Sequence, residues 1–298
     1  MEPPPGVGHD SRVSPVSRGR KRPKSRQPGQ RVLRTVSEPC DCPACTGADF
    51  DPQELIDNVV ADATDLLAAE DALDAELFGA AFLAAGELAG PGFAEALAES
   101  MVPAVAAFGT PESLAVLLAL DAVDEDHAAA AAAQQLVDAG VPAPAWTAEL
   151  REPVRVGQCQ RFADSGDSAS MLVCSFDRAG RSHGFVVHVD HTDCDAAADV
   201  LLFPAEILDE VLDTIRADAR RAGLTITAEE LEPAEFRWQV ERALDARAVH
   251  DREDGVPELS EEFADEDGPG YHVLAALLRA RTRALPEPSR PPAPHGEL

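Results

Sequence analysis

The sequence has almost no lysine: two serve 298 residues, Lys21 and Lys24, and arginine carries every other fixed positive charge. Aromatic side chains make up only 5% of the chain. Alanine supplies much of the hydrophobic 45%, and it brings helix propensity with little packing volume. This predicts helices packed closely on small side chains. No uncharged apolar run reaches 18 residues, which argues against a membrane-spanning helix. The N-terminal stretch has no apolar segment of the kind a secretory signal needs. The six cysteines, three of them crowded between 40 and 45, lack the spacing of a secreted disulfide framework. A reducing cytoplasm is the expected compartment. Phosphate loops are missing as well, because Gly6-Val7-Gly8 has no strand–turn–helix around it. Ser165 and Ser168 fall in a predicted turn without a nucleophile-elbow pattern, so serine hydrolysis has no motif to stand on.

What is present is acid, unevenly placed. The net charge is −29, yet residues 11–34 hold nine basic side chains and no acidic one. The remainder is therefore more acidic than the net figure suggests, and it repels nucleic acid and anionic membranes while the tail attracts them. Arg20, Lys21, Arg22, Lys24 and Arg26 could neutralise phosphates, but no aromatic residue among them can stack on bases. Contact with nucleic acid would be non-specific and salt-sensitive. The alternative is a solubilising extension. Residues 1–38 are rich in Pro, Gly, Ser and Arg, bury too little to offset chain entropy, and are expected to be disordered.

From about 50 to 140 the period is helical. Asp51-Pro52-Gln53-Glu54 is a start signal for a first helix carrying Leu55, Ile56, Val59 and Val60. Leu73, Leu77, Phe78 and Phe82 mark a second. Phe93, Leu97, Met101 and Val105 mark a third that Pro103 must kink or end. Thr110-Pro111-Glu112 opens a fourth, and a fifth is expected over 125–139. Val141-Pro142-Ala143-Pro144-Ala145 reads as a linker. Strands are predicted at 155–162, 170–176 and 184–191, the last two as a hairpin. Pro204 then opens an amphipathic helix closed by Gly223, a short strand is expected at 224–227, and helices at 233–247 and 271–283. The predicted class is α+β and predominantly helical: an Ala-rich helical domain plus a small antiparallel sheet with helices. The expected division is a basic tail at 1–38, the cysteine cluster and helical domain at 39–145, an α+β domain at 150–250, and an acidic loop, short helix and Pro-rich end at 251–298.

Two clusters could carry chemistry. Cys40-Asp41-Cys42-Pro43-Ala44-Cys45 is a C-x-C-x-x-C run whose thiolates can converge on one soft cation, zinc above all. A tetrahedral site needs a fourth ligand, which Cys159, Cys174, Cys194 or a histidine could supply. The run resembles the opening of an SEC-C-type zinc motif. Further on, His188, Asp190, His191 and Asp193 form a second potential metal set, and His188-Val189-Asp190-His191 resembles the end of the H-x-H-x-D-H signature of metallo-β-lactamase-fold hydrolases. Val186 stands where the first histidine of that signature would be. Strand alternation places His188 and Asp190 on one side and His183 and His191 on the other.

Val187-His188-Val189-Asp190-His191, Ala-Ala-Asp199-Val200 and Leu224-Thr225-Ile226 leading to Glu232-Pro233-Ala234-Glu235 resemble an uncharacterised protein family of GC-rich actinobacteria. That resemblance implies no activity. The expectation is a cytoplasmic binding or regulatory protein with a structural zinc at Cys40, Cys42 and Cys45 and a protein partner. The alternatives are a metal-dependent hydrolase built on 188–193 and a nucleic-acid-associated factor acting through the tail.

Overall fold

The computed structural model describes residues 52–90, 92–254 and 268–292. Helices α1 (Pro52–Asp62), α2 (Thr64–Leu67), α3 (Ala72–Ala89), α4 (Phe93–Ala96), α5 (Val102–Ala106), α6 (Pro111–Val123), α7 (Ala130–Asp138) and α8 (Thr147–Leu150) come first. Strands β1 (Arg155–Asp164), β2 (Ala169–Arg178), β3 (Arg181–Asp190) and β4 (Ala196–Pro204) follow. A 3-10 turn, α9 (Leu208–Arg221), β5 (Ile226–Leu231), α10 (Pro233–Asp254) and α11 (Tyr271–Thr282) complete the order. The class is α+β and mostly helical, as the sequence predicts. The basic tail lies outside the described residues, with Arg20, Lys21, Arg22, Lys24 and Arg26 in it.

The helical starts are set by local chemistry. The Asp71 carboxylate accepts from the Leu73 and Asp74 amides and opens α3. Thr110 and Ser113 exchange side-chain and backbone hydrogen bonds in a capping box, with Pro111 in the first turn of α6. Helices α3 and α6 approach closely at Gly79, where an added Cβ would lie 2.2 Å from the Ala119 carbonyl oxygen. Ala75, Ala115 and Ala119 are buried around this crossing, the close packing on small side chains that an Ala-rich sequence implies. The kink expected from Pro103 takes the form of a π-helical turn, Leu97–Met101, between α4 and α5. The predicted fifth helix starts late, at Ala130, because the Asp124 carboxylate accepts from the Ala128 amide and turns the chain first.

The sheet is antiparallel throughout, in the order β4-β3-β2-β1-β5. Strand β4 escapes the sequence reading because its alanines favour helix; Pro204 both ends the strand and caps the 3-10 turn that leads into α9, the helix start expected there. The predicted 224–227 strand is displaced to β5, which pairs with the second half of β1. Gly223, at φ +72°, closes α9 as expected, and the Leu224 amide returns to the Ala219 carbonyl.

Each face of the sheet is covered. Leu172, Cys174, Phe176, Phe185 and Val187 pack with Ala80 and Ala84 of α3, Phe236 and Val240 of α10, and Leu274, Leu277 and Leu278 of α11. Phe162, Val173, Val186 and Phe203 pack on the other face with Leu212 and Ile215 of α9. Residues from α3, the sheet and α11 thus share one core, with α11 packed against α3 and β4. Trp146, next to the expected linker, is buried and donates from Nε1 to the Leu66 carbonyl at 2.7 Å.

Candidate functional site

The most unusual chemistry is a buried charged cluster where α3, the β2–β3 turn and α11 meet. Glu76 of α3 and Arg281 of α11 are each only 1% exposed. Arg281 donates from Nη1 to Glu76 Oε1 at 2.7 Å and from Nη2 to Oε2, a bidentate fork. Its Nε donates at 3.0 Å to Nε2 of His183, which places the imidazole proton on Nδ1. Arg178, the last residue of β2, donates from Nη1 to the same Glu76 oxygen at 2.5 Å.

Local structure aims these groups. Arg178 and Arg181 pair across a two-residue turn in which Ala179 and Gly180 both have positive φ, +55° and +81°. That is the sense of turn that matches strand twist, and it throws both arginines to the same end of the hairpin. The odd-numbered positions of β3 face the core with Phe185 and Val187, which carries His183 inward beside Arg281.

Burial raises the Glu76 carboxyl, but Arg281 and Arg178 outweigh it and hold the group below its ordinary value. Burial, helped by Arg281, pushes His183 down to about 4, so it is neutral at pH 7. Two guanidiniums therefore share one carboxylate. Burial also lowers Arg178, with Glu76 pulling the other way. The Nε of Arg178 is enclosed and has no hydrogen-bond partner.

These groups border a cleft of about 580 Å³ with Arg178, Glu76, His183 and Arg281 in its wall; Arg181, Asp71, Glu149 and Glu206 also line it, and Leu202 and Phe203 supply apolar surface. Arg181 stands half-exposed at the mouth, where it meets Glu149 at 3.1 Å, Asp71 at 3.6 Å and the Glu70 carbonyl at 3.0 Å. The mouth arginine is thus matched by carboxylates, while the inner pair shares Glu76, with Glu149 also acting on Arg178.

The residues singled out from sequence lie elsewhere. Cys40, Cys42 and Cys45 are outside the described residues. Cys159 and Cys174 are turned into the core against each other, and Cys194 sits half-buried in the β3–β4 turn at φ +57°. His188 stands in β3 between Met171 and Asp199. Asp190 accepts from the Thr192 amide and hydroxyl, which hold it below its usual range. Asp193 faces His250 at 3.5 Å. His191 turns back to β2. The four are thus dispersed among different partners, and among the described residues no group of three or more His, Cys, Asp or Glu is placed to hold a metal ion.

One arrangement around His191 has no counterpart in the sequence motifs. Its Nε2 lies 3.0 Å from the Ser170 hydroxyl and its Nδ1 2.5 Å from Asp195, whose other oxygen takes Arg242. With the proton on Nδ1 both contacts are satisfied. The order serine–histidine–aspartate is that of a nucleophile, base and orienting acid. Ser170, however, is only 3% exposed, which leaves it little access to a substrate. The chain of bonds acts as a clamp joining β2, the β3–β4 turn and α10. Neither this clamp nor the Glu76 cluster could be found from motif spacing, because their members are scattered along the chain.

No family model matches the chain, and neither does any curated protein or solved structure. Among the described residues no helix is long and apolar enough to cross a membrane.

Proposed function

We propose that the protein is a binding or regulatory protein, not an enzyme, and that the cleft beside Arg178 takes a small ligand through a carboxylate or phosphate group. One observation carries the reading: two arginines, Arg178 and Arg281, share the single buried carboxylate of Glu76 while His183 is neutral. Arg178 Nε has no hydrogen-bond partner, so a bound anion would complete the donor set of this guanidinium, and the cleft gives that ion a route to Arg178. Apolar Leu202 and Phe203 would then contact the rest of the ligand. The expected setting is the cytoplasm, with zinc on Cys40, Cys42 and Cys45 as a structural element.

Calorimetric titration of the wild type with inorganic phosphate, acetate and succinate, beside an Arg178→Leu variant, tests the reading. Binding by the wild type that the variant loses supports it; heats indistinguishable between the two proteins reject it. The zinc proposal has its own test in metal content. About one zinc per chain in untagged wild type, absent from a Cys40/Cys42/Cys45→Ser triple variant, is the expected result, and equal metal in both proteins rejects that ligand set.

A further inference from the structure

Cys159 and Cys174 stand directly opposite each other on β1 and β2, both buried, with their Sγ atoms 2.9 Å apart. Opposed residues in an antiparallel pair have Cα atoms about 4.5 to 5.5 Å apart, within the span of about 4.4 to 6.8 Å that a disulfide bridges. A bond between these sulfurs therefore needs no shift of strand register. We propose that Cys159 and Cys174 form a reversible cross-strand disulfide site.

In the dithiol form the site is protected. Contact with Cys159, and then burial, push the Cys174 thiol well above its ordinary value, which suppresses the thiolate needed for exchange. The surrounding strand supplies a way in. Strand β5 pairs with β1 only from Cys159 onward. Residues 155–158 are exposed, and the β1–β2 ladder is irregular between Val156 and Cys159. Cys159 is thus the first buried residue beyond a strand segment held on one side only. Fraying of that segment uncovers Cys159 before the rest of the core opens.

The chemistry balances with a low-molecular-weight disulfide as oxidant. Once exposed, Cys159 gives its proton to water and its thiolate attacks one sulfur of the oxidant, forming a mixed disulfide and expelling a thiolate. Cys174, deprotonated in turn, attacks Cys159 Sγ and expels the second thiolate. Two protons leave the protein, two electrons pass to the oxidant, and the Cys159–Cys174 bond forms. Excess thiol reverses each step. The bridge ties β1 to β2 within the core that α10 covers.

The test uses the full chain, incubated with oxidised glutathione to constant composition, then denatured, alkylated with N-ethylmaleimide and peptide-mapped. The expected product is a 159–174 cross-linked peptide with neither cysteine alkylated, lost on treatment with dithiothreitol. A Cys40/Cys42/Cys45→Ser variant should retain that peptide. Because the map of the unmutated protein decides the matter, an ill-folded Cys159→Ala variant would not obscure it. Complete alkylation of Cys159 and Cys174 after oxidation overturns the proposal. So do bridges confined to Cys40, Cys42, Cys45 and Cys194.

Discussion

Arg281 of α11 closes a bidentate ion pair on Glu76 of α3, 205 residues earlier in the chain. Both partners are almost inaccessible to water, so the pair is a joint between the helical layer and the C-terminal helix beside the sheet. Removing one partner leaves the other charged and buried. Glu76→Gln is expected to cost about 3–5 kcal/mol of stability, read as a lower midpoint in urea unfolding. The double variant Glu76→Leu/Arg281→Met should cost less than Glu76→Leu alone, since it leaves Arg281 no charge to strand.

Arg178 should behave oppositely. It is the second guanidinium on a carboxylate already satisfied by Arg281, and burial works against its charge. Arg178→Leu is expected to change unfolding stability by less than about 1 kcal/mol. A loss as large as that of Glu76→Gln would contradict this.

His183 predicts a pH dependence. Its value falls from the ordinary 6.5 to about 4 in the folded protein, so the unfolded chain binds the extra proton first as pH drops. The contribution is complete above pH 6.5 and is lost between about pH 6.5 and 4, amounting to no more than roughly 3 kcal/mol. His183→Gln should flatten the stability profile in that window. The Glu76 contribution is lost further down, as pH falls below 4.5 through its lowered value. An unchanged slope in the His183 variant between pH 6.5 and 4 would contradict the buried neutral imidazole.

The extent to which the sequence discloses this structure follows from the range of each interaction. The helix start at Thr110, the kink at Pro103 and the stop at Gly223 are decided within a few residues, and all are legible. Strand β4 is hidden because its first half, Ala196–Asp199, has little β-propensity of its own and is fixed by pairing with β3 and packing under α10 and α11. The Glu76 cluster is hidden for a different reason. Its members come from α3, both strands of a hairpin and α11, and no local pattern distinguishes Glu76 from the many solvated acids. The sequence points His191 toward metal chemistry, yet Ser170 and Asp195 are the partners that tertiary structure gives it.

Backbone strain at the hairpin gives a separate prediction. Ala179 holds φ +55° at the first position of its turn, a conformation that costs a side-chain-bearing residue about 1–2 kcal/mol and that asparagine tolerates better. Ala179→Asn is expected to raise the melting temperature, equivalent to about 0.5–1 kcal/mol. Gly180→Ala, at φ +81°, should lower it.

Helix contact supplies another. A methyl group at Gly79 would meet the Ala119 carbonyl, which is backbone and cannot turn aside. Gly79→Ala should destabilise by about 1–3 kcal/mol despite its gain in helix propensity. A stabilised Gly79→Ala protein would mean that α3 and α6 lie further apart.

The proposed anion site at Arg178 is tested most directly by thermal unfolding at fixed pH and ionic strength, with sodium phosphate replacing sodium chloride, in wild type and Arg178→Leu. A ligand that binds only the folded state stabilises it by RT ln(1 + [L]/Kd), so the melting temperature rises with ligand concentration, while general salting effects act on both proteins alike. The expected result is a phosphate-dependent rise in the wild type that exceeds the rise in Arg178→Leu. Equal rises in the two proteins would contradict an anion site at Arg178.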